Sequence, residues 1–298
     1  MGKPTILITG ADGYTGRHAL NYFKDYHVIG VTRKKNESKN SHFADLTNEE
    51  NVNRLIELIK PDMVLHLAGQ NHVGRSWESP VSTIQTNFMS TLYLLSAVKN
   101  YASKAKVLVV GSALQTETSY PHPYSYSKSL QGELLQVWQQ FYGGNAIFVK
   151  TTNLIGPGPS TGVCANIAKR IVEIENKTND NEAILYLQNK QVMRDYVDVR
   201  DAVRAYHLIL ETGKTGLEYE ISSGDVRSLE EISLIFQKLS KVPFTVQFAE
   251  SQHDQPKLLT SLALKELGWK REFDIRTSFE HTLDYFREVY RKEGGDDS

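Results

Sequence analysis

The sequence contains one cysteine, Cys164, in 298 residues. A single thiol cannot close an intramolecular disulfide, so the fold has to rest on its core, and the count fits a reducing compartment. An excess of charge of one sign is also missing: 34 Lys and Arg stand against 35 Asp and Glu, for a formal net charge of −1. With no basic field, neither nucleic acid nor an anionic membrane is called for. No apolar run approaches the roughly 20 residues that span a bilayer. The early run Thr5–Thr9 is too short for a signal-peptide core, and Ile6 stands where a myristoylation signal wants Ser or Thr. A cytoplasmic protein without a membrane partner is expected. Linkers, internal repeats and low-complexity tracts are absent too, although the tail Glu293–Ser298 reads as disordered. The chain is long enough for one large α/β domain or two small ones.

What is present begins at the N-terminus. Thr5–Thr9 is a short apolar, β-rich run that reads as a buried strand, and Arg17-His18-Ala19-Leu20 opens a helix. Between them lies Gly10-Ala11-Asp12-Gly13-Tyr14-Thr15-Gly16, with glycines three apart. Glycine permits a tight turn and lets backbone amides and a helix N-terminus approach a pyrophosphate. The spacing is G-x-x-G-x-x-G, not the usual G-x-G-x-x-G. Gly10, Gly13, Tyr14, Thr15 and Gly16 are therefore candidate cofactor-binding residues.

His27–Val31 reads as the second strand. A domain that binds NAD usually places Asp or Glu just past this strand, on the ribose 2′-hydroxyl. Here the residues are Thr32-Arg33-Lys34-Lys35. The missing carboxylate, with Arg33 and Lys34 in its place, favours a 2′-phosphate and hence NADP(H) over NAD(H). A helix over 48–59, a strand within 61–69, a helix over 81–101, a strand over 105–111 and another from Ala146 continue the alternation. This order predicts a doubly wound parallel sheet of Rossmann type over 1–155. The remainder, 156–298, is of mixed order and reads as a smaller α/β substrate-binding portion, with some segments returning to the first domain. Gln70, Asn71 and His72 fall just past a strand's carboxyl end, where open α/β sheets bind ligands, and Gln70 is a candidate sugar contact.

Pro121-His122-Pro123-Tyr124-Ser125-Tyr126-Ser127-Lys128 carries the chemistry. Four residues make about one helical turn, so Tyr124 and Lys128 project from one face. A phenol with a pKa near ~10 is a poor acid or base at neutral pH, and an adjacent ammonium favours its phenolate. Tyr and Lys at this spacing are common by chance; the surrounding motifs give the pair its weight. No metal site is read from the sequence.

Taken together, the glycine motif, His66-Leu67-Ala68-Gly69, Asn87, Ser112, Tyr124 with Lys128, and Arg194-Asp195-Tyr196-Val197-Asp198-Val199-Arg200-Asp201 resemble the extended short-chain dehydrogenase/reductases, in their nucleotide-sugar branch. Asn153-Leu154-Ile155-Gly156-Pro157-Gly158 and the Arg194 segment resemble GDP-4-keto-6-deoxy-mannose reductases, with UDP- and dTDP-linked 4-keto-sugar reductases as near alternatives. The resemblance implies that Tyr124 gives a proton to the keto oxygen, that Lys128 lowers its pKa and holds the nicotinamide ribose, and that Ser112 bonds the same oxygen. It also puts Asp45 and Leu46 at the adenine, Leu67 and Ala68 along the cofactor, and Asn153 and Arg194 on the substrate's diphosphate. A homodimer through the 81–101 and 124–141 helices is implied as well.

Two departures qualify the resemblance. The segment Ala113–Pro123 is short and lacks the family's Tyr-Gly pair, which leaves Thr116 as a fallback for Ser112. Where related 4,6-dehydratases carry an acid pair after the Ser or Thr, this chain has Ala113 and Leu114. Dehydration is therefore disfavoured. Reduction of a 4-keto-6-deoxy sugar is expected, with an NAD-dependent 4-epimerase as the alternative. From another class, a non-catalytic dinucleotide sensor is countered by the retained Tyr and Lys.

Overall fold

The computed structural model describes residues 2–33, 41–115, 120–176, 183–249 and 258–294. The chain begins β1 (Thr5–Thr9), α1 (Tyr14–Tyr22), β2 (His27–Thr32), β3 (Ser41–Phe43), α2 (Glu49–Ile59), β4 (Met63–His66), α3 (Val73–Glu78) and α4 (Pro80–Ile84). A π-helical segment, Gln85–Met89, leads into α5 (Ser90–Tyr101), β5 (Lys106–Val110), α6 (Pro123–Tyr142), β6 (Ala146–Thr151), β7 (Asn153–Ile155), α7 (Val163–Glu175) and β8 (Ile184–Gln188). Then come β9 (Met193–Asp198), α8 (Val199–Thr212), β10 (Glu218–Ile221), β11 (Val226–Ser228), α9 (Leu229–Leu239), β12 (Thr245–Ala249), α10 (Leu262–Glu266) and α11 (Ile275–Glu293). Two compact units result: residues 1–151, 203–221 and 261–269, and residues 152–202, 222–260 and 270–298.

The first unit is built on a seven-stranded sheet ordered β10-β6-β5-β4-β1-β2-β3, parallel at every pairing. Central parallel strands are covered on both faces and so read as continuous apolar runs. Ile6, Leu7 and Ile8 of β1 and Val64 and Leu65 of β4 are inaccessible to solvent for this reason. From β1 the chain runs outward through β2 and β3, then returns to place β4 on β1's other side. The strand order thus reverses between β1 and β4, and the crevice beyond their carboxyl ends is where such sheets bind ligands.

On one face α2 and α5 share a core containing Val52, Leu55, Ile56, Leu94, Leu95 and Val98. Emptying a buried site such as Leu94 to Ala costs about 2–5 kcal/mol. Asn48 caps α2 by accepting the Asn51 N–H at 3.0 Å, and Glu49 and Glu50 face the positive end of the helix dipole. The helix expected over 81–101 is present from Pro80, but the π segment interrupts it. The widened turn falls on Asn87, whose fully buried side chain bonds outside its own helix.

The second unit holds a sheet ordered β11-β9-β7, with β7 parallel and β11 antiparallel to β9, and a parallel pair of β12 and β8. Ile167 and Ile171 of α7, Phe236 of α9, and Phe279 and Leu283 of α11 form its core. Three buried aspartates of the 194–201 motif fasten it. Asp195 accepts the N–H groups of Ser223 (2.9 Å) and Gly224 (2.8 Å). Asp198 takes the Arg200 guanidinium at 2.7 and 2.8 Å and the Ser278 hydroxyl at 2.8 Å. Asp201 accepts the N–H groups of Glu272 and Phe273 at 3.0 Å each. Unpaired, each carboxylate would be costly to bury; with these partners they tie distant segments together. Of the tail expected to be disordered, Glu293 is helical, the last residue of α11, and residues 295–298 lie outside the described residues.

Candidate active site

The glycine turn follows β1 directly. Gly10 lies in the left-handed region at φ +67°, and a Cβ there would sit 2.9 Å from the Ala68 nitrogen. A Cβ on Gly16 would stand 2.2 Å from the Gly10 carbonyl oxygen. Both positions therefore require glycine, and the backbone is left bare beside the Leu67-Ala68 loop. Gly13 caps α1 without a side-chain hydrogen bond. A bare turn running into a helix N-terminus fits a dinucleotide pyrophosphate. Arg33 is exposed immediately past β2, and Lys34 lies outside the described residues. Asp45 is exposed and commits one carboxylate oxygen to the Thr47 N–H (2.9 Å) and hydroxyl (2.7 Å), while Leu46 is buried.

The catalytic candidates stand on α6 and at the end of β5. Pro123 at the first helical position and the His122 ring, which accepts the Ser125 N–H at 2.9 Å, start α6. Gly143, at φ +60°, ends it. Tyr124 is 5% exposed and Lys128 6%. Lys128 donates to the Val110 carbonyl at 3.0 Å, at the carboxyl end of β5. Burial pushes its ammonium down to about 8. Burial also raises the Tyr124 phenol, while a hydrogen bond with Ser112 pulls the other way. The sequence suggests that Lys128 lowers the phenol's pKa; in the folded chain burial is the largest influence on the phenol, and it raises the pKa. Ser112 accepts the Leu114 N–H at 3.1 Å, which leaves its own proton for the phenol. Thr116, the alternative to Ser112, lies outside the described residues, as does Glu117.

Sequence reasoning named Asn87 and Gln70 but not the polar framework they form behind this pair. Asn87 accepts the Gln70 N–H at 2.7 Å and donates to the Gln70 carbonyl (3.0 Å) and the Ser127 hydroxyl (2.8 Å). Ser127 in turn donates to the Tyr124 carbonyl at 2.8 Å. A Cβ on Gly69 would lie 3.0 Å from the Asn87 Oδ1 and 3.5 Å from the Lys128 Nζ, so this loop runs directly past the ammonium. The Gln70 side chain bonds the His72 backbone and the Thr83 hydroxyl, a loop-holding role its position alone did not reveal. Behind the loop, His66 is enclosed between Thr9 and Thr91, at 2.8 and 3.1 Å.

In the second unit, Asn153 donates to the Asp195 carbonyl at 3.1 Å. Arg194 donates to the Met193 carbonyl at 2.9 Å and is half-buried. Burial lowers its pKa from the ordinary arginine value, against the opposing influence of Tyr196. A partly desolvated guanidinium is suited to gripping an anionic ligand.

Residues 6–222 match the family model described as the NAD dependent epimerase/dehydratase family. The chain is 26% identical to the GDP-6-deoxy-D-mannose reductase of Pseudomonas aeruginosa, covering 97% of this chain and 99% of that protein. It is also 26% identical to a dTDP-glucose 4,6-dehydratase of Haemophilus influenzae, over 94% and 97% of the two chains. Its fold superposes with a TM-score of 0.83 on a Pseudomonas aeruginosa protein, RMD, solved with NADPH, at 24% identity and over 96% and 99% of the chains. No helix among the described residues is long and apolar enough to cross a membrane.

Proposed function

Because the chain belongs to the NAD dependent epimerase/dehydratase family, and is thus an NAD(P)-dependent oxidoreductase that modifies a nucleotide-linked sugar, we propose that it reduces the C4 keto group of a nucleotide-linked 4-keto-6-deoxy-hexose. The substrate would be of the GDP-4-keto-6-deoxy-mannose or UDP-4-keto-6-deoxy-N-acetylhexosamine type. The observation that carries this reading is the Ser112–Tyr124 pair followed by Ala113 and Leu114. Two apolar side chains there offer no acid and base for eliminating water across C5 and C6. The similarity to the GDP-6-deoxy-D-mannose reductase of Pseudomonas aeruginosa supports the same choice.

Bound NADPH supplies the hydride. As charge grows on the C4 oxygen, Tyr124 gives up its phenolic proton and Ser112 donates a hydrogen bond to the same oxygen. Lys128 holds its ammonium at the end of β5, where it would stabilise the phenolate left on Tyr124 and hold the nicotinamide ribose. Arg33 favours the 2′-phosphate of NADPH, and Lys34 adds a second cation in the sequence. Asn153 and Arg194 hold the substrate's diphosphate. A homodimer is part of the proposal: the 81–101 and 124–141 helices expose Val81, Val137 and Phe141, and Val81 also lines a cleft of about 610 Å³ with Trp77, Ile84 and Tyr126. A monomer in sedimentation equilibrium removes that element.

The test follows NADPH absorbance with a nucleotide-linked 4-keto-6-deoxy-hexose. Net NADPH consumption with a 6-deoxy product is expected, and Tyr124→Phe should lower kcat by about 10²–10⁴-fold while sparing cofactor affinity. The family's epimerase chemistry would instead isomerise a nucleotide hexose with no net NADPH use, and Tyr124→Phe at the wild-type rate removes the phenol from the mechanism.

A further inference from the structure

His66 is 1% exposed, ends β4, and is the register partner of Thr9, the last residue of β1 before the glycine turn. Its two ring nitrogens meet two hydroxyls, Thr9 at Nδ1 (2.8 Å) and Thr91 at Nε2 (3.1 Å). Proton counting fixes the direction of both bonds. Thr91 has one hydroxyl proton and donates it to the Asn87 carbonyl at 2.7 Å, while the Gln131 amide donates to its oxygen at 2.6 Å. Toward His66, Thr91 must therefore accept, and Nε2 carries the imidazole proton. Nδ1 is then bare and accepts the Thr9 proton. The Thr9 oxygen, in turn, accepts the Ala68 N–H at 3.1 Å. Burial, and secondarily the charge on Lys128, hold the His66 pKa down to about 3, so the ring stays neutral and its polarity does not change with pH in the working range.

These bonds run from the backbone of the Ala68 loop through Thr9, His66 and Thr91 to the Asn87 carbonyl in the π segment. One end touches a proposed cofactor seat, and the other braces the loop and helix beside the Tyr124–Lys128 pair. Ala68 packs against Gly10 so tightly that a Cβ on that glycine would lie 2.9 Å from the Ala68 nitrogen. Asn87, through its own side chain, braces Gln70 and Ser127. A side chain outside the proposed catalytic set thus links the Leu67-Ala68 loop, through Thr9, to α5.

We propose that His66 is a positioning residue for the nicotinamide cofactor: its Nε2–H tautomer, clamped between Thr9 and Thr91, holds the Gly10 turn and the Leu67-Ala68 loop at the separation the dinucleotide requires. The proposal rests on the cofactor reading above. Breaking the clamp at either end leaves a buried polar group unpaired and frees the loop, which weakens binding. Chemistry at saturating cofactor is left nearly intact, because Tyr124, Ser112 and Lys128 keep their own partners.

The experiment is a fluorescence titration of the purified protein with NADPH, and in parallel with NADH, without sugar substrate. Thr9→Val and Thr91→Val should each weaken cofactor binding by about tenfold, the scale of one lost buried hydrogen bond. Thr9→Ser and Thr91→Ser retain the hydroxyls and should bind within about twofold of wild type, since the group lost is only a methyl. His66→Asn keeps an acceptor near Thr9 but loses the donor to Thr91, so it should match Thr91→Val, and the double variant should be no worse than either. In turnover, KM for NADPH should rise with kcat nearly unchanged. Thr91 is the sharpest probe, because it lies on α5 and meets Thr9 through the His66 ring; should one valine variant fail to fold, the other pair reads the same quantity. Variants that melt earlier yet bind NADPH like wild type overturn the inference alone. A wild-type protein that binds neither NADPH nor NADH overturns the cofactor reading and this inference with it.

Discussion

Replacing Lys128 with methionine tests whether the buried ammonium is kept for function at the expense of stability. The side chain is 6% exposed, its nitrogen donates to the Val110 carbonyl at 3.0 Å, and burial holds its pKa near 8 against an ordinary value of 10.5. A folded-state pKa below the unfolded one means that the unfolded chain keeps its proton after the folded chain has released it. Stability from this group is complete above the unfolded pKa and is lost as pH falls through the folded one. Between pH 8 and 10.5 the wild type should therefore gain about 1.4 kcal/mol per pH unit relative to Lys128→Met, for about 3 kcal/mol in all. At pH 7 the methionine variant is relieved of that cost, but it leaves the Val110 carbonyl without its donor, at about 1–3 kcal/mol. It should consequently unfold at a similar or higher denaturant concentration than wild type, despite being inactive. Urea unfolding of both proteins without cofactor, from pH 7 to 10, measures the difference. A pH-independent difference would refute the reasoning, since it would mean that Lys128 is charged in the folded protein as readily as in the unfolded one.

Two further outcomes concern the ligands. Arg33→Ala should erase most of the preference for NADPH over NADH, because a charge-assisted contact is worth about 1.5–3 kcal/mol; equal NADPH affinity in the variant, measured by the same titration, shows that Arg33 does not meet the 2′-phosphate. Arg194→Ala should raise KM for the nucleotide sugar by at least tenfold with a small change in melting temperature, whereas a collapse in stability with normal nucleotide-diphosphate binding, seen by calorimetry, makes Arg194 a structural residue.

The parts legible in the sequence were those that depend on short spacing. Gly10, Gly13 and Gly16 are three residues apart, and the same closeness that makes a Cβ impossible at Gly10 and Gly16 writes the pattern into the chain. Tyr124 and Lys128 share a helix face because α6 begins at Pro123. The alternation of strands and helices likewise identified the parallel sheet. Contacts set by register were not legible. Thr9 and His66 are 57 residues apart and His66 and Thr91 are 25 apart, so nothing local announces that the three side chains share one set of protons. The π segment at Asn87 escaped notice because the apolar pattern of the surrounding helix is unbroken. In the 194–201 motif the arginine was the visible feature, yet the three aspartates are the residues the fold uses most. A buried carboxylate cannot be told from a solvated one by sequence, and here the difference decides which residues hold the second unit together.

Burial decides one further point, the direction in which the Tyr124 proton is poised. The spacing argument makes Lys128 an aid to forming phenolate, which is the state needed to abstract a proton from a sugar hydroxyl in oxidation. In the folded chain the phenol lies above its ordinary value, and the ammonium is pushed down to about 8. At neutral pH the proton therefore stays on Tyr124, where it is ready to be given to a carbonyl oxygen that becomes anionic as hydride arrives. A 4-epimerase must begin by oxidising its substrate and needs the base form first; a 4-keto reductase begins with the acid form. The same desolvation that costs stability at Lys128 thus favours the protonated form of Tyr124, the form that the proposed reduction consumes.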